Sequence, residues 1–205
     1  MIGNDIVDLN LARTQSNWKR NGFLEKIFTK KEQEYIKNAK NSFEMVWLLW
    51  SMKESAYKIY SRQNSVRFFA PKKFECDISA EQHKVQINNS TYFTTSNISN
   101  DCIHTIALLN INESFSVDFF KLNNDTYEVQ NKTTYKNLKS AISNRFDIPI
   151  SKVKIEKDTN GIPRLNQKQM PTISISHHGV FGSYALCFKK FVCPARSPRP
   201  CRSNS

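Results

Sequence analysis

The first apolar run of the chain is the segment IGNDIVDL, residues 2–9. Its short length and its β-branched residues are typical of a buried β-strand. Successive side chains of a strand point to opposite faces, and both faces here include apolar residues, so we expect this strand to be covered on both sides. Asp5 would then be a buried carboxylate, which is costly unless it is paired, hydrogen-bonded or bound to a metal. The alternative is a strand-end aspartate that caps the following turn.

The longest helical pattern is SFEMVWLLWSMKESAYKIYS, which no proline or glycine interrupts and for which Ser42 is the predicted N-cap. Glu54 lies within its apolar run, and Lys58 follows one helical turn later. A Glu–Lys pair at this spacing stabilises a helix by only about 0.2–0.5 kcal/mol. Such a pair normally lies on a polar face, whereas the residues around Glu54 are large and apolar. The pattern therefore favours a functional site over a surface ion pair.

The remaining pattern mixes short strands with further helices. Thr29 and Glu32 have the spacing of a capping box and predict a helix that begins at Thr29. Beyond Arg62, runs of β-branched and aromatic residues between turns predict two or three strands, with a hairpin at residues 87–93. Apolar residues at helical spacing predict another helix in residues 134–146. The pattern also predicts a strand in residues 112–124, a strand–turn–strand unit in 151–165, and a strand, a loop and a further strand or helix in 172–188.

Composition narrows the class of protein. The chain has 205 residues, 39% of them hydrophobic, which is enough for one domain or two small ones. We expect no membrane span and no secretory signal, because no apolar run approaches about 18 residues and the N-terminus lacks a basic and then apolar region. The five cysteines are scattered without zinc spacing, which favours free thiols in a reducing cytoplasm. Residues 191–205 are rich in Pro, Ser and Arg and are predicted to form a disordered tail.

The charge of the chain indicates an anionic partner. Thirty Lys and Arg residues against eighteen Asp and Glu residues give a net charge of +12. Nucleic acid, an anionic membrane surface, a phosphorylated small molecule and an acidic protein all fit this charge, as does a basic surface without a function. The charge alone does not separate these possibilities.

Three further residues have side chains or backbone conformations that suit an anion site. Gly161 follows Asn160 in a predicted turn and would let the backbone approach a ligand closely. Ser176 and His177 come at the end of a predicted strand, where histidine can donate to a phosphate or bind a metal, although such a pair is more often structural. Together with two carboxylates and a lysine, these residues suit a diphosphate held by a hard cation such as Mg²⁺.

Five segments of the chain together resemble the 4′-phosphopantetheinyl transferases. They are IGNDIVDL, FLEKIFTKKE, LWSMKES continuing to Lys58, NGIP and ISISHHG. The second and third segments are together quite specific, and the resemblance covers residues 1–60 and 150–188. It implies an enzyme that moves the phosphopantetheine arm of coenzyme A onto a serine of an acyl or peptidyl carrier protein, as in fatty-acid, polyketide or peptide synthesis. The other product is adenosine 3′,5′-bisphosphate.

The resemblance also implies the roles of individual residues. Asp5 and Glu54 would bind Mg²⁺, Glu54 is also the candidate general base, and Lys58 would contact the diphosphate. The coenzyme A site would comprise Lys58, Gly161, Arg164, Ser176 and His177. Carrier proteins of this kind are acidic, so the net positive charge would steer them to the enzyme.

The sequence departs from the family pattern at three places. Val7 stands where the long, surfactin-synthetase type has another metal-binding carboxylate, so we expect a site with two carboxylates. Asp8 matches the later carboxylate of the short, holo-acyl-carrier-protein synthase type, but should face the other side of the strand. Ile162 stands where the turn usually has a basic residue, and Arg164 is the expected substitute. No glycine-rich turn follows Lys58, although the long type usually has one there.

The motifs occur in the order of the short type, but the gap between Lys58 and Gly161 is much longer. We therefore expect an α+β fold with two pseudo-symmetric halves, each a small, mostly antiparallel sheet packed on a long helix. Residues 1–122 would include the metal-binding carboxylates, and residues 123–190 would include the glycine turn and Ser176 and His177. The site would lie in the cleft between the halves.

Two alternatives to this enzyme stay open. The chain could bind coenzyme A without turnover, because the third carboxylate is missing. It could instead bind nucleic acid through stacking by Trp18 or Phe23 and through the basic residues Lys19, Arg20, Lys30, Lys31 and Lys37. Nucleic-acid binding would leave Asp5 and Glu54 unexplained, so we expect no nucleic-acid partner.

Overall fold

A computed structural model describes residues 1–67, 70–166 and 170–188 of the chain, and the predicted tail at residues 191–205 lies outside these ranges. In chain order, the described residues first form β1 (Ile2–Asp8), α1 (Leu9–Gln15), α2 (Phe23–Ile27), α3 (Lys30–Asn38), α4 (Ser42–Asn64), β2 (Glu75–Asp77), β3 (Lys84–Ile87), β4 (Ser90–Ile98) and β5 (Cys102–Leu108). The chain continues with β6 (Ser114–Lys121), α5 (Tyr127–Phe146), β7 (Ile155–Lys157), β8 (Pro163–Leu165), β9 (Thr172–His178) and β10 (Phe181–Phe188). Short 3₁₀ helices lie at Pro71–Lys73 and Ile150–Lys152.

Two larger antiparallel sheets, each with a long helix against it, and a two-stranded sheet of β7 and β8 form the α+β fold that the sequence predicts. The strand order of the first sheet is β1-β5-β4-β3-β2, and α4 packs on it. The second sheet has the order β6-β10-β9, and α5 packs on β9 and β10. In both sheets the last strand in sequence lies between the strand before it and the strand that precedes the long helix. A two-fold axis relating the halves stays a prediction.

The division of the chain near residue 122 also stays a prediction. Strand β6 precedes this boundary in sequence but pairs with β10, from Ser114 opposite Phe188 to Lys121 opposite Phe181. The second sheet therefore begins before residue 122. Within the described ranges, none of the helices combines the length and the apolar character needed to cross a membrane.

Strand β1 is buried along its whole length and covered on both faces, as its pattern predicts. One face lies so close to α4 that a methyl group at Gly3 would overlap the backbone carbonyl of Ser55. The other face packs on β10, where Ile2 contacts the cluster of Ala185 and Ile6 contacts that of Phe181. The strand therefore lies where α4 and the first sheet meet the second sheet.

Side-chain hydrogen bonds cap the N-terminal ends of α3 and α4. Thr29 and Glu32 form the predicted capping box of α3, with both reciprocal hydrogen bonds present. The prediction of Ser42 as the cap of α4 is wrong by one residue. Asn41 is the N-cap, because its side-chain oxygen accepts a hydrogen bond from the backbone N–H of Glu44 at 3.2 Å. Asparagine and serine both satisfy a free N–H at this position, so the pattern alone did not distinguish them.

Lys53 of α4 is fully buried in the first half. Its Nζ atom lies 2.7 Å from Oε1 of Glu32, which is also fully buried, and donates to the carbonyl oxygens of Pro71 and Phe74. The same Glu32 accepts a hydrogen bond from the backbone N–H of Cys76 at 2.7 Å. Neighbouring residues of a helix point about 100° apart, so Lys53 turns toward this core while Glu54 turns away from it.

Candidate active site

Asp5 of β1 is a buried carboxylate with two polar partners. It is 8% exposed, its Oδ1 accepts a hydrogen bond from Ser176 Oγ at 2.9 Å, and the Nζ atom of Lys58 lies 3.6 Å from the same oxygen. Burial raises the pKa of Asp5, and the positive charge of Lys58 opposes this effect. Ser176 and Lys58 therefore hold the Asp5 carboxylate in a place where removing it from water costs free energy.

Glu54 lies close enough to Asp5 for their charges to interact. Burial and then the negative charge of Asp5 raise the pKa of Glu54 to about 7, while Lys58 lowers it. Within the described residues, the carboxylate that forms an ion pair with Lys58 is Asp5 rather than Glu54. The charge of Lys58 thus acts on both carboxylates, although its ion pair is with Asp5. Such an arrangement suits a divalent cation with a preference for oxygen ligands, such as Mg²⁺.

Within the part of the chain that the structure describes, no cluster of three or more His, Cys, Asp or Glu side chains is arranged to hold a metal ion. Val7 is buried in the main core of the first half. Asp8 caps α1, because its Oδ1 accepts the backbone N–H groups of Asn10 and Leu11, and its Oδ2 accepts that of Val180 at 3.0 Å. Three backbone bonds therefore occupy the Asp8 carboxylate.

Alternate residues of β9 bind the free edge of β1. The backbone N–H groups of Asn4, Ile6 and Asp8 donate to Ser174 Oγ, Ser176 Oγ and His178 Nδ1, at 3.1, 3.3 and 2.9 Å. Because side chains alternate along a strand, His177 lies on the opposite side of β9. There its ring contacts that of Tyr127 edge-on, with 5.6 Å between the ring centroids. Ser176 thus contacts Asp5 and His177 lies on the other side of β9, but both residues line a neighbouring cavity.

This cavity has a volume of about 400 Å³ and lies between the C-terminal part of α4, α5, the turn between β7 and β8, and β9. Of the predicted coenzyme A residues, Lys58, Gly161, Ser176 and His177 line it. Its basic lining side chains are Lys58, Arg62, Arg67 and Lys157, and its aromatic ones are Tyr57, Tyr127 and Tyr135. Among the described residues, no carboxylate lines the cavity. It therefore suits an anionic ligand that contains a ring.

The cavity adjoins the carboxylate pair through two residues. Lys58 and Ser176 both contact Asp5 and both line the cavity. Lys58 also donates to the carbonyl oxygens of Asn4 at 2.6 Å and Ile175 at 3.2 Å. An anion in the cavity would therefore meet the ammonium group of Lys58 next to the carboxylates.

Arg62 connects the two sheets from a position that the sequence analysis missed. Its guanidinium donates to the carbonyl oxygens of Ile173 at 2.6 Å, Pro163 at 3.4 Å and Ile2 at 3.4 Å. Burial, followed by the charge of Arg164, lowers the pKa of Arg62 to about 10, so the side chain stays charged at neutral pH. The i, i+4 spacing from Glu54 through Lys58 to Arg62 is a signal that could have predicted it.

The predicted Asn-Gly turn is present, and Gly161 has a positive φ of 74°. Asp158 shapes this turn, because its Oδ1 accepts the backbone N–H groups of Asn160 at 2.9 Å and Ile162 at 3.0 Å. Arg164 forms an ion pair with Asp158 at 2.8 Å and is not one of the described residues that line the cavity. The position of Arg164 therefore supports the turn rather than the cavity.

Two comparisons with known proteins give matches. The crystal structure of holo-acyl-carrier-protein synthase (AcpS) from Thermotoga maritima is similar to the chain with a TM-score of 0.42 and 11% sequence identity. The similarity covers 81% of this chain and 82% of that one. Among curated proteins, none gives a significant match. The family model of the 4′-phosphopantetheinyl transferase superfamily matches residues 1–107. Because this match covers more than half of the chain, the protein belongs to the 4′-phosphopantetheinyl transferase superfamily.

Proposed function

We propose that the protein transfers the 4′-phosphopantetheine arm of coenzyme A to a serine of an apo acyl or peptidyl carrier protein, in a reaction that requires Mg²⁺. The observation that carries this proposal is the position of Lys58, which connects Asp5 with the basic cavity. Lys58 lies 3.6 Å from Asp5 and also lines the cavity. A diphosphate in the cavity would therefore lie beside the two carboxylates.

The proposed reaction is a displacement at phosphorus. The carrier serine oxygen forms a bond to the β-phosphorus, the bond from this phosphorus to the bridging oxygen breaks, and adenosine 3′,5′-bisphosphate leaves. Asp5 and Glu54 would hold Mg²⁺, which when bound neutralises the negative charge that develops on the diphosphate. Lys58 and His177 would orient the diphosphate from the side of the cavity.

Glu54 is the candidate general base for the serine proton. A base is most effective when its pKa is near the working pH, and burial together with the charge of Asp5 raises the pKa of Glu54 to about 7. Its position next to Asp5 would bring it close to the reacting phosphate. The serine proton would then move to a Glu54 carboxylate oxygen as the new bond to phosphorus forms.

The proposed partner is an acidic carrier protein. The chain has a net charge of +12, which favours association with a negatively charged protein through electrostatic steering. We also propose a cytoplasmic location. Among the described residues, Cys76, Cys102 and Cys187 are buried free thiols, which suits a reducing compartment.

A transfer assay tests the proposed function. The protein is incubated with coenzyme A, Mg²⁺ and each of several apo carrier proteins, and mass spectrometry detects the phosphopantetheine arm on the carrier. We expect modification of at least one carrier and none when Mg²⁺ is removed with a chelator. Tight binding of coenzyme A without transfer to any carrier would instead indicate a scaffold without turnover. Binding of RNA or DNA that weakens with salt, without affinity for coenzyme A, would indicate a nucleic-acid-binding protein.

Mg²⁺ is expected to stabilise the protein more at pH 8 than at pH 6. The pKa of Glu54 is raised to about 7 in the folded state from 4.5, so the folded protein without metal binds more protons and becomes less stable as pH rises between these values. Ionised Glu54 at pH 8 would cost about 1–3 kcal/mol of folding free energy, which a bound cation would offset. Thermal melts with and without Mg²⁺ at both pH values measure this difference.

The variant Glu54→Gln is the control for this pH dependence. Because it cannot ionise, its stability relative to the wild type should increase from pH 5 to pH 8, and Mg²⁺ should no longer stabilise it differently at the two pH values. Equal stabilisation of the wild type by Mg²⁺ at pH 6 and pH 8 would contradict the assignment of Glu54 as a metal ligand.

A further inference from the structure

Asn4 of β1 is a fully buried polar residue to which the proposed reaction gives no role. Its backbone N–H donates to Ser174 Oγ at 3.1 Å, and its carbonyl oxygen accepts a hydrogen bond from Lys58 Nζ at 2.6 Å. The N–H and C=O of one residue in an antiparallel strand point to the same side, so both bonds lie at the free edge of β1. The backbone of Asn4 therefore helps to hold the ammonium group of Lys58 beside Asp5.

The side chain of Asn4 begins a chain of hydrogen bonds between the two larger sheets. Its Nδ2 donates to Ser183 Oγ of β10 at 2.8 Å, and the same oxygen lies 2.6 Å from Nε2 of His104 in β5. Asn4 and Ser183 are 0% exposed, and His104 is 4% exposed. We call these three residues the Asn4 network. The network joins three strands at the place where β1 packs on the second sheet.

The hydrogen bonds of the network determine which nitrogen of His104 holds its proton. Ser183 Oγ accepts an N–H of Asn4, so its own hydroxyl hydrogen is available for Nε2 of His104. Burial, followed by the charge of Lys58, lowers the pKa of His104 to about 4, so the ring is neutral at pH 7. A neutral imidazole has one donor nitrogen and one acceptor nitrogen. Nε2 is therefore the acceptor, and the proton lies on Nδ1.

The ring of His104 is also held by Phe119 of β6. The centroids of the two rings are 5.0 Å apart, and their planes are tilted by 31°. One face of the imidazole is thus covered by Phe119, while its Nε2 atom is bound to Ser183. An imidazole fixed in this way gives Ser183, and through it Asn4, a rigid hydrogen-bond acceptor.

We propose that the Asn4 network positions Lys58 for the transfer reaction: His104 and Ser183 fix Asn4, whose carbonyl oxygen fixes the ammonium group. This inference rests on the proposed function, in which Lys58 contacts the diphosphate. The members of the network are positioning residues, because none of them is among the described residues that line the cavity. A lysine side chain is flexible, so fixed acceptors are needed to hold it in one place. Misplacing a reacting group by about 1 Å can lower a rate by about 100-fold.

Transfer kinetics of single variants test this role. His104→Leu removes the acceptor nitrogen, Ser183→Ala removes the link to Asn4, and His104→Gln places an amide oxygen near the position of Nε2. We expect His104→Leu and Ser183→Ala to lower kcat by about 10-fold, with KM for coenzyme A within about 3-fold of the wild type. The reason is that Lys58 acts most strongly on the charge that develops in the transition state.

Two further variants make this result specific to the hydrogen bond. His104→Gln restores an acceptor for Ser183 and should retain at least about a third of the wild-type kcat. The control is His83→Leu, which replaces a partly exposed histidine before β3 and should retain full activity. Wild-type kcat in folded His104→Leu and Ser183→Ala would overturn the proposal, as would equal losses in His104→Leu and His104→Gln.

A double-variant cycle distinguishes positioning of Lys58 from a general structural role. In the Lys58→Ala background no ammonium group is left to position, so adding Ser183→Ala or His104→Leu should lower kcat by less than about 2-fold. Circular dichroism and urea unfolding establish that each variant is folded at the assay temperature. Equal loss factors with and without Lys58 would show a general structural effect and would overturn the proposal.

NMR spectroscopy separates this inference from the proposed function, because it requires no turnover. In isotopically labelled protein at pH 7, Nε2 of His104 should have the chemical shift of a nitrogen without a proton. The Nζ signal of Lys58, assigned from its loss in Lys58→Ala, should shift or broaden in His104→Leu and Ser183→Ala but not in His83→Leu. These changes would support the positioning contact even if no carrier is modified. A protonated Nε2, or an unchanged Lys58 signal in both network variants, would overturn the contact even if transfer is observed.

Discussion

Asp5→Ala and Glu54→Ala are each expected to lower kcat/KM for transfer by about 10²–10³-fold or more, the range seen when a group that stabilises transition-state charge is removed. The physical reason is the pairing of these carboxylates. Each would provide part of the oxygen ligand set for Mg²⁺, and Glu54 would in addition accept the serine proton. The measurement is the rate at which a carrier gains the phosphopantetheine arm at saturating Mg²⁺ and carrier.

Stability measurements distinguish a loss of activity at the site from a loss of activity through unfolding. The charge of Asp5 contributes to the raised pKa of Glu54, so Glu54→Gln should be at least as stable as the wild type in the absence of metal at pH 8. Glu81→Gln, at an exposed position, serves as the carboxylate control and should retain full activity. A rate above about a tenth of the wild-type value in folded Asp5→Ala and Glu54→Ala would contradict the assignment of these residues to the metal site. A tenfold loss of rate corresponds to only about 1.4 kcal/mol of transition-state stabilisation.

Lys53→Met is expected to lower the free energy of unfolding by about 3–5 kcal/mol, the usual cost of removing one partner from a buried ion pair. The variant would leave the Glu32 carboxylate buried without its counter-charge, and the carbonyl oxygens of Pro71 and Phe74 without their donor. Urea unfolding of the wild type and the variant measures this loss through the midpoint and slope of the transition.

A double variant tests the origin of this loss. Lys53→Met combined with Glu32→Leu removes both charges, and replacing a whole buried pair by apolar residues is often close to neutral. We expect the double variant to be more stable than Lys53→Met but less stable than the wild type, because Glu32 also accepts the backbone N–H groups of Thr29 and Cys76. Lys30→Met, at an exposed position of α3, controls for the loss of a lysine. A loss below about 1 kcal/mol in Lys53→Met would show that the pair does not stabilise the fold in this way.

Adjacent residues of one motif thus have different roles, which the sequence did not distinguish. Lys53 and Glu54 follow each other in LWSMKES, yet Lys53 binds Glu32 in the core and Glu54 turns toward Asp5. Likewise Ser176 contacts Asp5, whereas the ring of the adjacent His177 contacts that of Tyr127. The period of a helix or a strand predicts that neighbours diverge, but which direction is core and which is cleft depends on the elements packed around them.

Local chemistry made other parts of the fold predictable. The capping box of Thr29 and Glu32, the Asn-Gly turn and the buried first strand follow from hydrogen bonding, backbone conformation and apolar pattern over a few residues. The predicted Lys58, Gly161, Ser176 and His177 also line one cavity, although more than a hundred residues separate Lys58 from Ser176. These positions were inferred from motifs, and their roles stay predictions.

The sequence by itself determined many of the elements, the family and four of the residues around the cavity, because these depend on short motifs and local periodicity. Only the tertiary structure decided which charges meet. Arg67 lies beside Gly161 in space although it is far from it in sequence, while Arg164, only three residues after Gly161, pairs with Asp158 instead. The direction of a long, flexible cationic side chain follows from the nearest available anion or carbonyl, and the packing of the two halves sets which of these lies within reach.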